Sequence, residues 1–156
     1  FKKNMNDLID PSTSINNVEL GKDVKIAKRC SIFGSDSQKL RIGDNSYIGM
    51  NAFINGYLDS LVIGRHVSIA QNVCIMTDSG PNASIEMQKF FPLEKGPVQI
   101  GDHSWIGANS IILPNSNLGE FCVVAANSLV KGNFPSYSMI GGNPAKIIRM
   151  IDKDDL

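Results

Sequence analysis

Aliphatic residues recur along this chain at intervals of six residues, in four runs that are separated by interruptions. The anchors of this repeat are Leu20, Ile26, Ile32, Ile42, Ile48, Ile54, Ile63, Ile69, Ile75, Ile100, Ile106, Ile112, Leu118, Val124 and Val130. A period of six fits neither the 3.6-residue turn of an α-helix nor an unbroken strand alternation. The pattern therefore predicts a short strand and a turn that repeat along the chain.

The residue two places before an anchor is usually small, as in Ser46, Ser104 and Cys122. Because residues two apart share one face of a strand, each predicted strand has one large and one small inward side chain. Three strands make a triangular coil, and the fifteen anchors group into about five coils. We predict an all-β fold, a parallel β-helix, as a single domain over residues 1–156. Its coils occupy residues 20–131, and a short C-terminal capping segment and tail occupy residues 132–156.

The longest interruption of the repeat spans about residues 76–98 and adds nineteen residues between Ile75 and Ile100. Loops of this length on a rigid scaffold are uncommon and usually functional. We therefore expect a protruding loop here that carries part of the functional site.

The charge balance narrows the range of partners. Lys plus Arg equals Asp plus Glu, at 15 each, so the chain lacks the basic excess typical of nucleic-acid or membrane-surface binding. No apolar run is long enough to span a membrane, so we expect no membrane insertion. The three cysteines show neither a metal-binding spacing nor a disulfide framework, so we expect no metal site and a cytoplasmic location.

Several motifs in the second half of the chain are specific in combination. They are Ile100-Gly-Asp-His-Ser-Trp-Ile-Gly-Ala, Ile112-Leu-Pro, Leu118-Gly-Glu and Gly141-Gly-Asn-Pro-Ala-Lys. With these motifs the chain resembles the hexapeptide-repeat acyltransferases, particularly the sugar O-acetyltransferases and the xenobiotic acetyltransferases. The resemblance implies a left-handed β-helix, a hand that the period alone does not determine. It also implies acetyl-CoA as donor and a homotrimer with its active sites between subunits.

The resemblance further implies direct acyl transfer, in which a loop histidine takes a proton from the acceptor. The matching run here is Thr77-Asp78-Ser79-Gly80-Pro81, so Gly80 stands where that histidine is expected. We predict Asp78 as the replacement base, with His103 as a second candidate and Asn82 as an acceptor-binding residue. The alternatives are that Asp78 caps a turn with Asn82 and that His103 is a surface or inter-subunit residue.

On the donor side, the resemblance assigns the acyl end of the donor to Trp105, the thioester carbonyl to the backbone N–H of Ala108, and the cofactor chain to Ala126. The cations that suit the adenosine phosphates are Lys131, Lys146 and Arg149. The alternatives are that Trp105 packs at the trimer interface and that the cations are solvated surface charges.

These features together predict an acetyl-CoA-dependent acetyltransferase that acts on a hydroxyl of a sugar or sugar-like acceptor, in polysaccharide biosynthesis. N-acetylation of an amino-sugar is the nearest enzymatic variant. Because of Gly80, a non-catalytic relative that binds CoA or forms a trimeric scaffold is a further alternative.

Overall fold

The structure is a computed structural model that describes residues 8–155 of the chain. These residues form nineteen strands, one α-helix and a 3-10 helix at Lys153–Asp155. The strands are β1 (Ser14–Asn16), β2 (Val18–Leu20), β3 (Lys25–Ile26), β4 (Ser31–Phe33), β5 (Leu40–Ile42), β6 (Tyr47–Ile48), β7 (Phe53–Asn55), β8 (Leu61–Ile63), β9 (Ser68–Ile69), β10 (Cys74–Met76), β11 (Asp78–Ser79), β12 (Glu94–Lys95), β13 (Val98–Ile100), β14 (Trp105–Ile106), β15 (Ile111–Leu118), β16 (Val123–Val124), β17 (Leu129–Phe134), β18 (Ser138–Gly142) and β19 (Ala145–Met150). The helix α1 is Ile85–Phe90.

The strands form a triangular parallel β-helix with three faces. The first face contains β2, β5, β8 and β13, and the C-terminal parts of β15 and β17 continue it. The second face contains β3, β6, β9, β14, β16 and β18, with β19 added antiparallel at its end. The third face contains β1, β4, β7, β10 and the N-terminal parts of β15 and β17. This architecture confirms the predicted fold class.

The anchors of successive coils lie in register and form the core. On the second face, Ile48, Ile69 and Ile106 are register partners, and all three are fully buried. Leu20 is the exception among the anchors, with 36% of its surface exposed. It lies on β2, the terminal strand of its face, so among the described residues no further coil covers it from below.

The small inward residues link neighbouring coils through the corners. Ser46 Oγ donates a hydrogen bond to the carbonyl of Gly64 at 2.9 Å, and Ser104 Oγ donates to the carbonyl of Gly119 at 3.2 Å. Each serine thereby satisfies its own buried hydroxyl and a corner carbonyl of the next coil. The corners themselves contain asparagines in the left-handed conformation, such as Asn109 and Asn127, both with φ of 60°. Asparagine tolerates this conformation better than most residues with a side chain.

The parallel pairing extends past both predicted coil boundaries, residues 20 and 131. β1 pairs with β4 at one end, and β16 pairs with β18 at the other. The six-residue spacing changes at these points, because Ile15 and Leu20 are five residues apart and Val130 and Phe134 are four apart. β19 then turns back on β18 and closes the C-terminal end of the second face. Within the described residues, no helix has both the length and the apolar character needed to cross a bilayer.

The longest interruption forms a protruding segment, residues 76–98, which we call the inserted loop. It consists of a short antiparallel pair, β11 with β12, and the helix α1 between them. Ser84 caps α1, since its hydroxyl accepts a hydrogen bond from the backbone N–H of Met87. No residue of α1 is buried, so the loop stands out from the coil.

Candidate functional site

One group of predicted site residues lies at the corner between the second and third faces, near the C-terminal end. We call it the tryptophan corner: Trp105, Ala108, Ala126 and the hairpin of β18 and β19. Trp105 points outward from β14, between Ser68 and Val123 in register, and 56% of its surface is exposed. An exposed indole on a rigid strand offers a large flat surface for a ligand or a partner.

Ala108 and Ala126 occupy equivalent positions on two successive coils beside Trp105. The backbone N–H of Asn127 donates to the carbonyl of Ala108 at 2.9 Å, which ties the two corners together. The coils approach so closely here that a Cβ on Gly107 would lie 2.6 Å from the backbone nitrogen of Ala126. Small side chains at this corner keep its outer surface open.

The hairpin of β18 and β19 carries two of the predicted cations to the same region. Lys146 lies opposite Gly141, and Arg149 lies opposite Met139. A hydrogen bond of 3.1 Å from the backbone N–H of Gly142 to Ser128 Oγ fixes the start of the hairpin turn, and the Asn143–Pro144 peptide bond in that turn is cis. Within residues 8–155 neither Lys146 nor Arg149 forms an ion pair, so both charges are available to an anion.

Lys131, the third predicted cation, lies elsewhere. Its Nζ forms an ion pair of 2.6 Å with Glu94 Oε1 on β12, at the corner where β17 passes from the third to the first face. The pair fastens the inserted loop to the fifth coil. A hydrogen bond of 3.4 Å from Asn115 Nδ2 to the carbonyl of Lys95 supports the same attachment.

Asp78 is the first residue of β11 in the inserted loop, directly after the fully buried Thr77. The half-buried Asp78 carboxylate accepts a hydrogen bond of 3.0 Å at Oδ1 from Asn55 Nδ2. No hydrogen bond joins it to Asn82, whose backbone N–H donates to the carbonyl of Gly80 and whose side chain is exposed. The structure thus places Asp78 and Asn82 on one loop, without the turn cap between them that was the alternative.

Gly80 is packed against the opposite arm of the inserted loop. A Cβ at this position would lie 3.0 Å from Leu93 Cα and 3.1 Å from Leu93 Cδ1. A histidine side chain here would require Leu93 to move. The loop is therefore packed around the glycine.

His103 lies at a different corner, between the first and second faces. Its ring is one of four stacked rings, which we call the ring stack: His66, His103, Phe121 and Tyr137. The centroid distances are 4.9, 4.6 and 4.9 Å in that order. The ammonium of Lys153 lies 4.7 Å from the Tyr137 centroid and covers the end of the stack. His103 therefore has a ring on each side, and the structure does not bring it to the inserted loop.

An ion pair lies beside the ring stack and joins the third and fourth coils. Asp102 Oδ2 accepts hydrogen bonds from Arg65 Nη2 at 2.8 Å and from Nε at 3.0 Å, and Oδ1 accepts the Arg65 backbone N–H at 2.8 Å. The backbone hydrogen bond and then the guanidinium hold the pKa of Asp102 below its usual value. The same contact raises the pKa of Arg65. The pair fixes the corner that precedes Trp105.

The sequence analysis missed two residues whose side chains form hydrogen bonds with the side chains of predicted site residues. Asn55 donates to Asp78 from the end of β7, and Glu94 binds Lys131. The sequence does contain a signal that could have indicated Asn55, because it is a polar residue in an otherwise apolar strand next to an interruption of the repeat. Glu94 has none, since its partner is distant in sequence.

The sequence of the chain is similar to known families and proteins. The family model described as bacterial transferase hexapeptide (six repeats) matches residues 97–132, and that of the hexapeptide repeat of succinyl-transferase matches residues 39–76. The chain is 32% identical over 132 residues to the protein named colanic acid biosynthesis acetyltransferase WcaF of Escherichia coli, covering 84% of this chain and 68% of that one. It is 30% identical over 125 residues to the galactoside O-acetyltransferase of the same organism, covering 80% and 60%.

Solved structures show the same coil. The N-acyltransferase AntD of Bacillus cereus, solved with dTDP and 3-hydroxybutyryl-CoA, aligns with a TM-score of 0.82 at 25% identity, over 94% of this chain and 81% of that one. A hexapeptide-repeat acetyltransferase of Vibrio cholerae aligns with a TM-score of 0.68 at 25% identity, over 95% and 77%. The chain spans between 44% and 60% of the length of four of its curated relatives. On this similarity the chain belongs to the hexapeptide-repeat acyltransferases, and its coil is the left-handed parallel β-helix of that family.

Proposed function

We propose that the chain is an acetyl-CoA-dependent acetyltransferase that transfers the acetyl group directly to a hydroxyl of a sugar or sugar-like acceptor, in the cytoplasm and for polysaccharide biosynthesis. The observation that carries the proposal is the tryptophan corner, where an exposed indole, an open small-residue corner and two cations without an ion-pair partner within residues 8–155 occur together. Sugar O-acetyltransferases among the relatives support the same reaction class.

The donor would lie along the tryptophan corner. Trp105 offers a flat surface to the pantetheine and acetyl end, and Ala126 leaves room for the cofactor chain. The backbone N–H of Ala108 would bind the thioester carbonyl and stabilise the negative charge that develops there. Lys146 and Arg149 are suited to the adenosine phosphates, because both are exposed cations without an ion-pair partner among the described residues. We leave Lys131 out of the donor site, since Glu94 already pairs with it.

The acceptor would lie against the inserted loop. Asp78 would take the proton of the acceptor hydroxyl as its oxygen attacks the thioester carbonyl, and the C–S bond would break with release of the CoA thiol. Asn82 would bind another hydroxyl of the acceptor. His103 is not required in this mechanism, because it lies in the ring stack at the corner between the first and second faces and not on the inserted loop.

The two halves of the proposed site lie on different parts of one chain. The tryptophan corner joins the second and third faces, whereas the inserted loop leaves the coil after β10 on the third face. We propose a homotrimer in which the loop of one subunit completes the corner of another. The outward residues Phe53, Cys74 and Ile111 form an apolar stripe along the third face that such an assembly could bury. Light scattering on the purified protein measures its mass in solution, and we expect the mass of a trimer. The mass of a monomer would contradict the proposed assembly.

A second candidate function is N-acetylation of an amino-sugar. The observation that favours it is the carboxylate of Asp78 on a loop that has no histidine, since an amine needs less help from a base than a hydroxyl. The similarity in fold to the N-acyltransferase AntD is consistent with it. Parallel assays with hydroxyl and amine acceptors distinguish the two reactions.

The function is tested by incubating the protein with acetyl-CoA and a panel of sugars and amino-sugars and measuring the release of the CoA thiol. We expect release with at least one acceptor, and a fall of about 10² to 10⁴ in kcat for Asp78→Asn. Asp36→Asn, at an exposed corner of the second coil, is the matched control and should keep the wild-type rate. No release with any acceptor, together with no CoA binding by calorimetry, would contradict the proposal and favour a non-catalytic relative.

A further inference from the structure

We infer that Asn55 is a positioning residue that holds the carboxylate of Asp78 in place for proton transfer. The inference rests on the proposed function and concerns the same site. It starts from a single contact between distant parts of the chain, the 3.0 Å hydrogen bond from Asn55 Nδ2 to Asp78 Oδ1.

The backbone around Asn55 is fixed by the coil. Asn55 ends β7 and is the register partner of Met76, two residues before Asp78. Its carbonyl accepts two hydrogen bonds from Thr77, one from the backbone N–H at 2.9 Å and one from Oγ1 at 3.1 Å. Thr77 is fully buried, so the start of the inserted loop is attached to the coil at the point where Asp78 begins.

The side-chain amide of Asn55 is fixed at both ends. Its Oδ1 accepts the backbone N–H of Tyr57 at 2.9 Å, and its Nδ2 donates to Asp78. An amide oxygen cannot donate and an amide nitrogen does not accept, so only one of the two flipped orientations satisfies both contacts. The donor that faces Asp78 is therefore held in one direction by the turn at residues 55–57.

The contact leaves half of the carboxylate for the substrate. Asp78 Oδ1 is occupied by the amide, whereas Oδ2 has no hydrogen-bond partner among the described residues. The donor is neutral, so it orients the carboxylate without the opposite charge that an arginine or lysine in the same place would add. Rigid placement matters because a shift of about 1 Å in a reacting group can cost about 10² in rate.

The test is a double-mutant cycle of Asn55→Ala and Asp78→Asn in the thiol-release assay. We expect Asn55→Ala alone to lower kcat by about tenfold to a hundredfold, with the acceptor KM and the CoA affinity within about twofold of wild type. In the Asp78→Asn background the same substitution should have no further effect, because no base is left to position.

Asn16→Ala is the matched control, since Asn16 ends β1 at the position of the third face that Asn55 occupies two coils further on. It should keep the wild-type kcat. Circular dichroism and Tm check that each variant is folded. If Asn55→Ala does not fold, Asn55→Leu keeps the volume, removes the donor and should give the same result.

The outcomes separate the inference from the proposed function. A loss that is equal in both backgrounds, or no loss at all, would overturn the inference while the enzyme remains active. A rise in the acceptor KM without a change in kcat would also overturn it, since Asn55 would then bind the acceptor itself. No thiol release from the wild-type protein would overturn the proposed function and the inference with it.

Discussion

The coils and the inserted loop are held together in different ways. Each coil buries an anchor against the anchors above and below it, and Ile106 is fully buried between Ile69 and Val124. The loop buries no residue of its helix, and 77% of Phe90 is exposed. Its two ends are anchored by the buried Thr77 and Val98, and between them it is attached through polar contacts such as the pair between Lys131 and Glu94. The coil therefore supplies stability, and the loop is free to vary its chemistry on top of it.

The largest effect that tests this comparison is on stability. We expect Ile106→Ala to lower the free energy of unfolding by about 2–5 kcal/mol, because it leaves a cavity in the core. Phe90→Ala should change it by less than about 0.5 kcal/mol, because the ring is exposed. Chemical denaturation at one fixed protein concentration measures both. Equal losses would mean that the loop belongs to the folding core.

The next effect concerns two glycines, one in each region. A Cβ on Gly107 would lie 2.6 Å from backbone atoms of the next coil, whereas one on Gly80 would lie 3.0 Å or more from its nearest neighbour, Leu93. We expect Gly107→Ala to cost about 1–3 kcal/mol, since the rigid coils must separate. Gly80→Ala should cost clearly less, because a loop arm can shift. A larger loss for Gly80→Ala would show that the loop is as rigid as the coil.

A smaller effect is expected on donor binding. Trp105→Ala should weaken CoA binding about tenfold, or about 1.4 kcal/mol, and leave Tm unchanged because the side chain is exposed. Tyr47→Ala is the control, since Tyr47 points outward from the same face two coils earlier. Calorimetry with CoA measures both affinities. An unchanged affinity in Trp105→Ala, with a loss of trimer by light scattering, would instead assign the indole to the subunit interface.

The smallest effect concerns the ion pair that joins the coils across the insertion. Because the native pKa of Asp102 is lowered, the native state binds a proton there less readily than the unfolded state. The contribution is therefore complete above the ordinary aspartate pKa of about 3.9 and is lost as the pH falls through the lowered native value. We expect Asp102→Asn to lower Tm slightly at neutral pH, and the difference from wild type to shrink in acid. A difference that grows in acid would contradict this assignment.

The repeated part of the fold could be predicted from the sequence, because an aliphatic residue recurs at the same inward position of strand after strand. The coil ends could not, since the spacing there changes to five residues before Leu20 and to four after Val130. The loop contacts could not either. Asn55 meets Asp78, and Lys131 meets Glu94, only once each, and a contact made once leaves no period to detect.

For the candidate site, the relative placement of residues could be predicted only where those residues occupy equivalent positions of the repeat. Trp105, Ala108 and Ala126 lie together because each follows from its place in the repeat. Lys131 was predicted as a phosphate-binding cation and His103 as a second candidate base, each from its type of residue, and the structure puts each at a separate corner. The type of a residue indicates the chemistry that it can perform. The corner at which it lies depends on its position within the three-strand coil.

The ring stack has a consequence for how the coil accommodates the inserted loop. The inserted loop lies between His66 and His103, whereas no such insertion lies between His103 and Phe121. The two pairs of rings are nevertheless 4.9 and 4.6 Å apart, close to the usual separation of neighbouring strands, about 4.7–4.9 Å. The insertion therefore leaves the spacing between the third and fourth coils close to that between the fourth and fifth. We therefore expect that a loop of another length could replace the inserted loop at this point without a change in the stacking of the coils.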